Sequence, residues 1–231
     1  SEMFFPTWIS IFINPFYFAR KNLNDAIKKN SSILSGSLVD IGCGVKPYES
    51  LFLNVKNYIG LEYDNIRSRE LGKADFFYKG NLFPFNDNNF DSALCNQVLE
   101  HVFTPKEFLK EINRVLKPER ILLLTIPFIW DEHEQPHDFA RYSSFGASYL
   151  LEEAGFEIIK HEKLCTNFSV ISQIINGYIF KVSQKLPRLL RAFITILIIA
   201  PVNIFGVILS KIIPANEDIF LDQLLICKKY K

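Results

Sequence analysis

The sequence predicts a three-layer α/β fold, with a seven-stranded, mainly parallel sheet and a hydrophobic helical insertion before the last strand. Three observations carry this prediction. Apolar runs of strand length alternate with stretches of helical periodicity along most of the chain. The first such run, Leu38-Val39-Asp40-Ile41, breaks at once into Gly42-Cys43-Gly44, as a buried parallel strand does where it meets a tight loop beside a nucleotide-like ligand. Residues 168–214, finally, are more apolar than an ordinary core requires.

In chain order, residues 8–29 mix aromatic and basic side chains and predict one or two short helices. Strands are expected at 38–41, 57–63, 74–78 and 90–95. A helix over 105–116 follows, with Thr104 as N-cap, Pro105 in the first turn and Glu107 completing a capping box. Phe108, Leu109, Ile112, Val115 and Leu116 share one face of it. Residues 121–126, between Pro118 and Pro127, form a continuous apolar run, the pattern of a strand buried on both faces. A helix over 144–154 closes at Gly155, and strands at 156–163 and 219–228 complete the sheet. The organisation expected is one domain over 1–231: a helical cap (1–35), a ligand-binding core (36–165), the apolar insertion (166–215) and the last strand (216–231).

Composition narrows the function. A chain of 231 residues is long enough to bury a sizeable core. Its net charge of +1 gives no reason to expect a nucleic-acid partner. With 22 phenylalanines and a mean hydropathy of +0.10, the chain is apolar for one that is 22% charged. Cys43, Cys95, Cys165 and Cys227 are scattered without a Cys-x-x-Cys pair, so they read as small core side chains in a reducing, cytoplasmic setting. The apolar start contains Pro6 and Pro15 and lacks a basic leading region, unlike a signal peptide.

The chemistry-bearing motifs fall at fixed distances. Glu62 ends the second strand roughly twenty residues past the glycine turn, where a carboxylate can bind both hydroxyls of a ribose. The segment from Gly80 to Asp91 offers a polar side chain flanked by apolar ones, which suits the edge and faces of an adenine ring. A dinucleotide fingerprint is excluded, because Pro47 stands where its third glycine belongs.

These residues resemble the class I S-adenosylmethionine-dependent methyltransferases of the type 11 group, over about residues 36–165. Five motifs keep that family's order. They are Asp40-x-Gly42-x-Gly44, the ribose acid Glu62, Leu82-Phe83-Pro84-Phe85, Phe90-Asp91 with Leu99-Glu100-His101 after it, and Leu116-Lys117-Pro118. The resemblance implies a Rossmann-like fold and S-adenosylmethionine as cofactor. It further implies that Asp40, Gly42 and Gly44 hold the amino-acid part and sulfur side of the cofactor, and that Glu62 holds the ribose. By the same resemblance Leu82 packs on the adenine, Asn81 accepts from its amino group, and Asn96 and Gln97 lie beside the methionyl group. Two departures stand out: Lys46 replaces the family's third glycine, and Asn81 replaces its usual aspartate.

On the acceptor side, residues 128–142 follow the fifth strand and would overhang the transferring methyl. His133 and His137 are the candidate catalytic bases there, with a solvated polar loop as the alternative. No metal is expected, since Pro136 inside the His-x-x-x-His spacing disfavours the helix that would align both rings. Arg141 and Tyr142 are expected to pin the loop or touch substrate, and His101 to be structural or a cofactor-side contact.

Residues 168–182 have the spacing of an amphipathic helix, and 192–210 carry no charge between Arg191 and Lys211. That run is long enough to span a membrane, but the last strand must return to the sheet, and Pro201, Asn203 and Gly206 are expected to interrupt it. Three readings of the resulting helical hairpin stay open: packing on the N-terminal helices, a homodimer face, or peripheral contact with the inner face of a membrane. The expected function is methyl transfer to an oxygen or nitrogen of a small-molecule, glycan or lipid-linked acceptor. The alternative is an inactive cofactor-binding module that recruits a partner or membrane through the insertion.

Overall fold

The computed structural model describes residues 2–230 except Asn81. Its seven strands form one sheet in the order β3-β2-β1-β4-β5-β7-β6. They are β1 (Gly36–Ile41), β2 (Val55–Tyr63), β3 (Phe76–Tyr78), β4 (Phe90–Asn96), β5 (Leu116–Pro127), β6 (Phe156–Leu164) and β7 (Asp222–Lys229). The first five run parallel to their neighbours. At the end of β7, the Tyr230 N–H donates to the Gly155 carbonyl and Lys229 Nζ to the Leu116 carbonyl, which mark the starts of β6 and β5. So β7 runs antiparallel to both, and the sheet is mixed and mostly parallel, with helices on both sides.

Strands buried on both faces are mostly apolar, and the buried stretches of β1, β4 and β5 are so apart from Asp40, Ser92 and Thr125. Val39, Ile41, Ala93, Cys95, Leu122, Leu124 and Ile126 are buried in one cluster. Onto that cluster α4 (Pro105–Val115) lays Phe108, Leu109, Ile112 and Val115, spaced as one helical face. Burying each such side chain contributes about 1.5–3 kcal/mol. Leu151 and Ala147 of α5 (Ser144–Glu153) join the same core. The helix stops at Gly155, whose φ of +88° favours a residue without Cβ.

Two local expectations need correction. Thr104 occupies the N-cap position, but its side chain makes no capping hydrogen bond. And β5 begins at Leu116 rather than near residue 121, with Leu116 paired to Phe90 and a register shift before Ser92 pairs with Ile121. Glu119 sits in that irregularity at φ +65°, and the bulge lets Pro118 stay within the strand despite its missing donor. The four cysteines are buried free thiols, as expected of core residues.

The chain divides into two compact units. The larger comprises Ile27–Phe128, Glu132–Glu162 and the residues from Gln223 onward. The smaller takes the chain up to Ala26, Ile129–Asp131 and Lys163–Asp222. In the smaller unit the insertion folds as a hairpin of α6 (Ser169–Ser183) against α7 (Arg188–Ile194) and α8 (Ala200–Ile212). Contrary to expectation, Pro201, Asn203 and Gly206 do not interrupt the second arm, which is one helix over Arg188–Ile212. A π-helical stretch, Thr195–Ile199, immediately precedes Ala200-Pro201 and widens the backbone where proline removes a donor. Asn203 and Gly206 face inward.

The segment between β3 and β4 is held by a partner that sequence reading did not single out. Glu111 accepts the Phe83 N–H at 2.6 Å, and Arg114 donates to Glu111, to Asp87 and to the Phe85 carbonyl at 2.6–2.9 Å. Burial alone would raise the Glu111 pKa, but its bonds to Arg114 and the Phe83 N–H hold it low. Replacing Arg114 by Ala should cost about 2 kcal/mol, through the loss of charged hydrogen bonds to a largely buried carboxylate. A urea titration whose midpoint does not move would contradict this anchoring.

Candidate active site

Register brings the site together. Ile41 lies opposite Leu61 on one side and Cys95 on the other. Gly42, Glu62 and Asn96 therefore emerge at one level, at the carboxyl ends of β1, β2 and β4. Loops leaving β1 and β4 diverge here, the switch point at which open α/β sheets bind ligands.

The β1 turn is tightly built. The N–H groups of Gly42 and Cys43 both donate to the Leu61 carbonyl, and the Gly44 N–H donates to Glu62 Oε2 at 2.9 Å. Gly42 has φ +71°, and a Cβ there would stand 2.3 Å from Val98 Cγ2. Gly44, at φ +50°, has no heavy atom within 4 Å of where its Cβ would be. That is a bare stretch of backbone open to a ligand, next to a half-buried carboxylate.

Lys46, in the third-glycine position, has a structural use. Its side chain crosses Gly60, where a Cβ would meet Lys46 Cε at 2.4 Å, and pairs with Asp75 at 2.6 Å. Asp75 also takes the Gly60 N–H at 2.7 Å. Asp40 is buried, and its Oδ2 accepts the Tyr58 hydroxyl at 2.6 Å. Burial raises its pKa to about 7, against the lowering effect of the Tyr58 bond. At the end of β4, Asn96 Oδ1 accepts from Thr125 Oγ1 at 2.7 Å. Gln97 turns at φ +57° with its N–H on the Thr125 carbonyl. Leu82 is 70% exposed and so offers a free apolar face. Asn81 lies outside the described residues.

The loop after β5 forms no helix, so His133 and His137 do not share a helical face. The structure treats the two differently. The His133 backbone N–H donates to Asp138 Oδ2 at 2.9 Å, and the ring Nδ1 lies 3.3 Å from both that oxygen and Arg141 Nη2. Arg141 grips Asp138 with two nitrogens at 2.6 and 2.7 Å, pinning the loop as expected. Burial pulls the Asp138 pKa upward, but Arg141 and the His133 N–H overcome it and hold the acid at about 2. His137 is exposed, with its backbone N–H on the Glu134 carbonyl, its ring near Phe139, and its own carbonyl 2.6 Å from His101 Nδ1. A carbonyl can only accept, so neutral His101 carries its proton on Nδ1 and turns a bare Nε2 the other way.

The loop is also tied to β4. Phe139 and Ala140 donate to the Glu100 carbonyl, and the Glu100 carboxylate is fully buried. Its Oε1 stands 3.7 Å from His101 Nε2 and 4.0 Å from His133 Nε2. Glu100, His101 and His133 thus bring ligand atoms within 4.8 Å of one another, the donor set in the described residues that could hold a cation. An ion pair between Glu134 and Arg67, in α3 (Ile66–Leu71), ties the loop to the β2 side as well. Glu100 and Asp138 were missed as partners of His133. The signal available was an acid inside a Leu-Glu-His segment and an Asp three residues before an Arg.

Comparison with known proteins points to one family. Residues 39–124 match the family model described as "Methyltransferase domain", type 11. These residues resemble a type 11 methyltransferase domain. S-adenosylmethionine is its cofactor, and the bare Gly44 backbone beside Glu62 fits such a ligand. A probable S-adenosylmethionine-dependent methyltransferase of Mycolicibacterium smegmatis is 30% identical over 135 residues, 52% of either chain. Uncharacterized protein MJ1123 of Methanocaldococcus jannaschii is 29% identical over 148 residues, 59% of this chain and 71% of its own. The chain spans about half the length of several other curated relatives it matches. Among solved structures, this chain shares its fold with the [4+2]-cyclase SpnF (TM-score 0.60, 20% identity, covering 93% and 83% of the two chains). A SAM-dependent methyltransferase from Archaeoglobus fulgidus is similar too (TM-score 0.55, 15% identity, 96% and 100%).

Asp40 gives the domain a testable pH dependence. Its ordinary pKa is 3.8 and its folded value about 7, so between these the folded state binds the extra proton. This group therefore takes stability away as pH rises from about 4 to about 7. Urea midpoints measured at both ends of that range should fall less in Asp40→Asn than in the unaltered chain. Equal slopes would contradict the burial of the carboxyl.

Proposed function

We propose that this chain moves a methyl group from S-adenosylmethionine to a hydroxyl oxygen or amine nitrogen of a small-molecule, glycan or lipid-linked acceptor. In this reading Asp40, Gly42 and Gly44 support the cofactor's amino-acid part, and Glu62 takes the ribose hydroxyls. Leu82 lies on the adenine, Asn81 meets its amino group, and Asn96 and Gln97 flank the methionyl end. When bound, the cofactor supplies an electrophilic methyl on a sulfonium. The protein's own share is alignment and the removal of one proton.

The observation that carries the base assignment is the Arg141–Asp138–His133 brace. Asp138, kept ionised at about pKa 2, and Arg141 Nη2 both lie 3.3 Å from His133 Nδ1; in this reading Nδ1 donates to Asp138, which leaves Nε2 bare. The acceptor's proton passes to His133 Nε2 as its oxygen or nitrogen gains the methyl, and Asp138 steadies the imidazolium that results. His137, lacking such a brace, is not the base in this reading.

A second reading rests on the convergence of Glu100, His101 and His133: a divalent cation there would acidify an acceptor hydroxyl instead. Chelator treatment separates the two. Turnover unchanged by chelator fits the base, while loss restored by a divalent cation fits the metal. The fold alone does not entail methyl transfer, as the similar cyclase illustrates, and an inactive binding module is the competing class.

Calorimetry with S-adenosylhomocysteine tests the first step. Glu62→Ala should weaken binding about 10- to 100-fold, from the loss of charged hydrogen bonds, and unchanged affinity would remove the ribose assignment. Screening acceptors with radiolabelled cofactor tests the second. On any acceptor so found, His133→Ala should lower kcat about 10²- to 10⁴-fold with cofactor affinity intact, and His137→Ala should have little effect. The reverse ranking would overturn the base.

A further inference from the structure

In the smaller unit an apolar cluster of Tyr17, Phe18, Cys165, Val170 and Leu221 persists, but the arms of the hairpin carry an inverted polarity. Along α6 the buried side chains include Ser169, Ser172, Gln173, Asn176 and Ser183, while Ile171, Ile174, Ile175, Tyr178 and Val182 are exposed. Along α8 the interior takes Ala200, Asn203 and Gly206, and Ile204, Phe205, Ile208 and Ile212 face outward. The buried amides bond to one another and to backbone carbonyls, with Asn176 Oδ1 alone among their oxygens and nitrogens buried without a hydrogen bond. Asn176 Nδ2 donates to Asn203 Oδ1 at 2.8 Å, and Asn203 Nδ2 donates to the Ile11 carbonyl at 2.9 Å. Gln173 accepts the Ala19 N–H and donates to the Pro15 carbonyl. Gly206 sets the close approach of the helices, since a Cβ there would lie 2.5 Å from Ser172 Oγ and 2.7 Å from Phe18 Cζ.

A helix packed in water puts its apolar stripe inward and its polar residues outward. Small and hydrogen-bonded polar residues inside, with branched aliphatics and aromatics outside, is the arrangement that hydrocarbon selects. The second arm of the hairpin points the same way. Over Arg188–Ile212 the mean hydropathy of its most apolar stretch is 2.6, and only 22% of that stretch is buried. Its charges stand at the ends, Arg188 and Arg191 at the start and Lys211 in the last turn, where they can reach headgroups. A single span is ruled out by topology, because β5 before the insertion and β7 after it are neighbours in one sheet.

The outward apolar side chains run along both arms of the hairpin, and the longer arm has basic residues at both ends, a pattern that matches acyl chains bordered by headgroups better than one self-complementary patch. We propose that the α6–α8 hairpin lies in the interface of a bilayer bearing anionic lipid, with its outward aliphatics at the acyl boundary and its terminal arginines and lysine among the headgroups. This stands independently of the methyl-transfer chemistry.

Flotation of the full chain with detergent-free vesicles tests it. Phosphatidylcholine vesicles containing about one-third phosphatidylglycerol should carry the protein upward, and pure phosphatidylcholine should carry less. Replacing Leu197, Phe205 and Ile208 by Ser should reduce the floating fraction about tenfold or more. Because these side chains are exposed, the variant should keep its melting temperature and its affinity for S-adenosylhomocysteine. Protein that stays at the bottom with both vesicles, as monomer, dimer or aggregate, would overturn the proposal. So would a triple variant that floats like the unaltered chain.

Discussion

The parallel register of β1 with β2 and β4 is the constraint on which the site depends. With Ile41 held between Leu61 and Cys95, the glycine turn, the Glu62 carboxylate and the Asn96–Gln97 corner emerge together. A one-residue slip of β1 would exchange the side chains on its two buried faces, putting Asp40 where Val39 and Ile41 pack, and would draw the glycine turn out of level with Glu62. The apolar burial that fixes the register is therefore what positions polar groups that have no strong preference of their own. The Gly44 N–H to Glu62 bond adds a direct link between two of those groups.

The acceptor side is organised differently. The loop after β5 lacks regular structure, and polar pairs hold it in place: Arg141 on Asp138, Asp138 on His133, the Glu100 carbonyl on Phe139 and Ala140. Such a loop can be rebuilt without disturbing the sheet. This suits a fold whose cofactor half stays fixed while its substrate half varies.

Much of this was legible in the residues. The strands were readable because a buried parallel strand is mostly apolar, and the glycine turn because few residues accept its backbone angles. The start of β5 was not readable: Leu116-Lys117-Pro118 reads as a helix end, and only pairing with Phe90 makes it strand. Pro201 looked like a break because the π-helical stretch that absorbs it has no sequence signature. The histidines of the loop were visible. The distinction between them was not, because it rests on which of the two rings the folded loop brings against Asp138 and Arg141. In the insertion, hydropathy was plain from composition. Its inversion appeared only once the fold assigned an inside to Asn176 and Asn203.

The most direct measurement is a crystal structure of the chain with S-adenosylhomocysteine bound. The account predicts the adenosine along the open Gly44 backbone, both ribose hydroxyls on the Glu62 carboxylate, and the sulfur on the side faced by His133 Nε2. A nucleoside bound away from Glu62, or a His133 ring turned from the sulfur with Asp138 released, would contradict it.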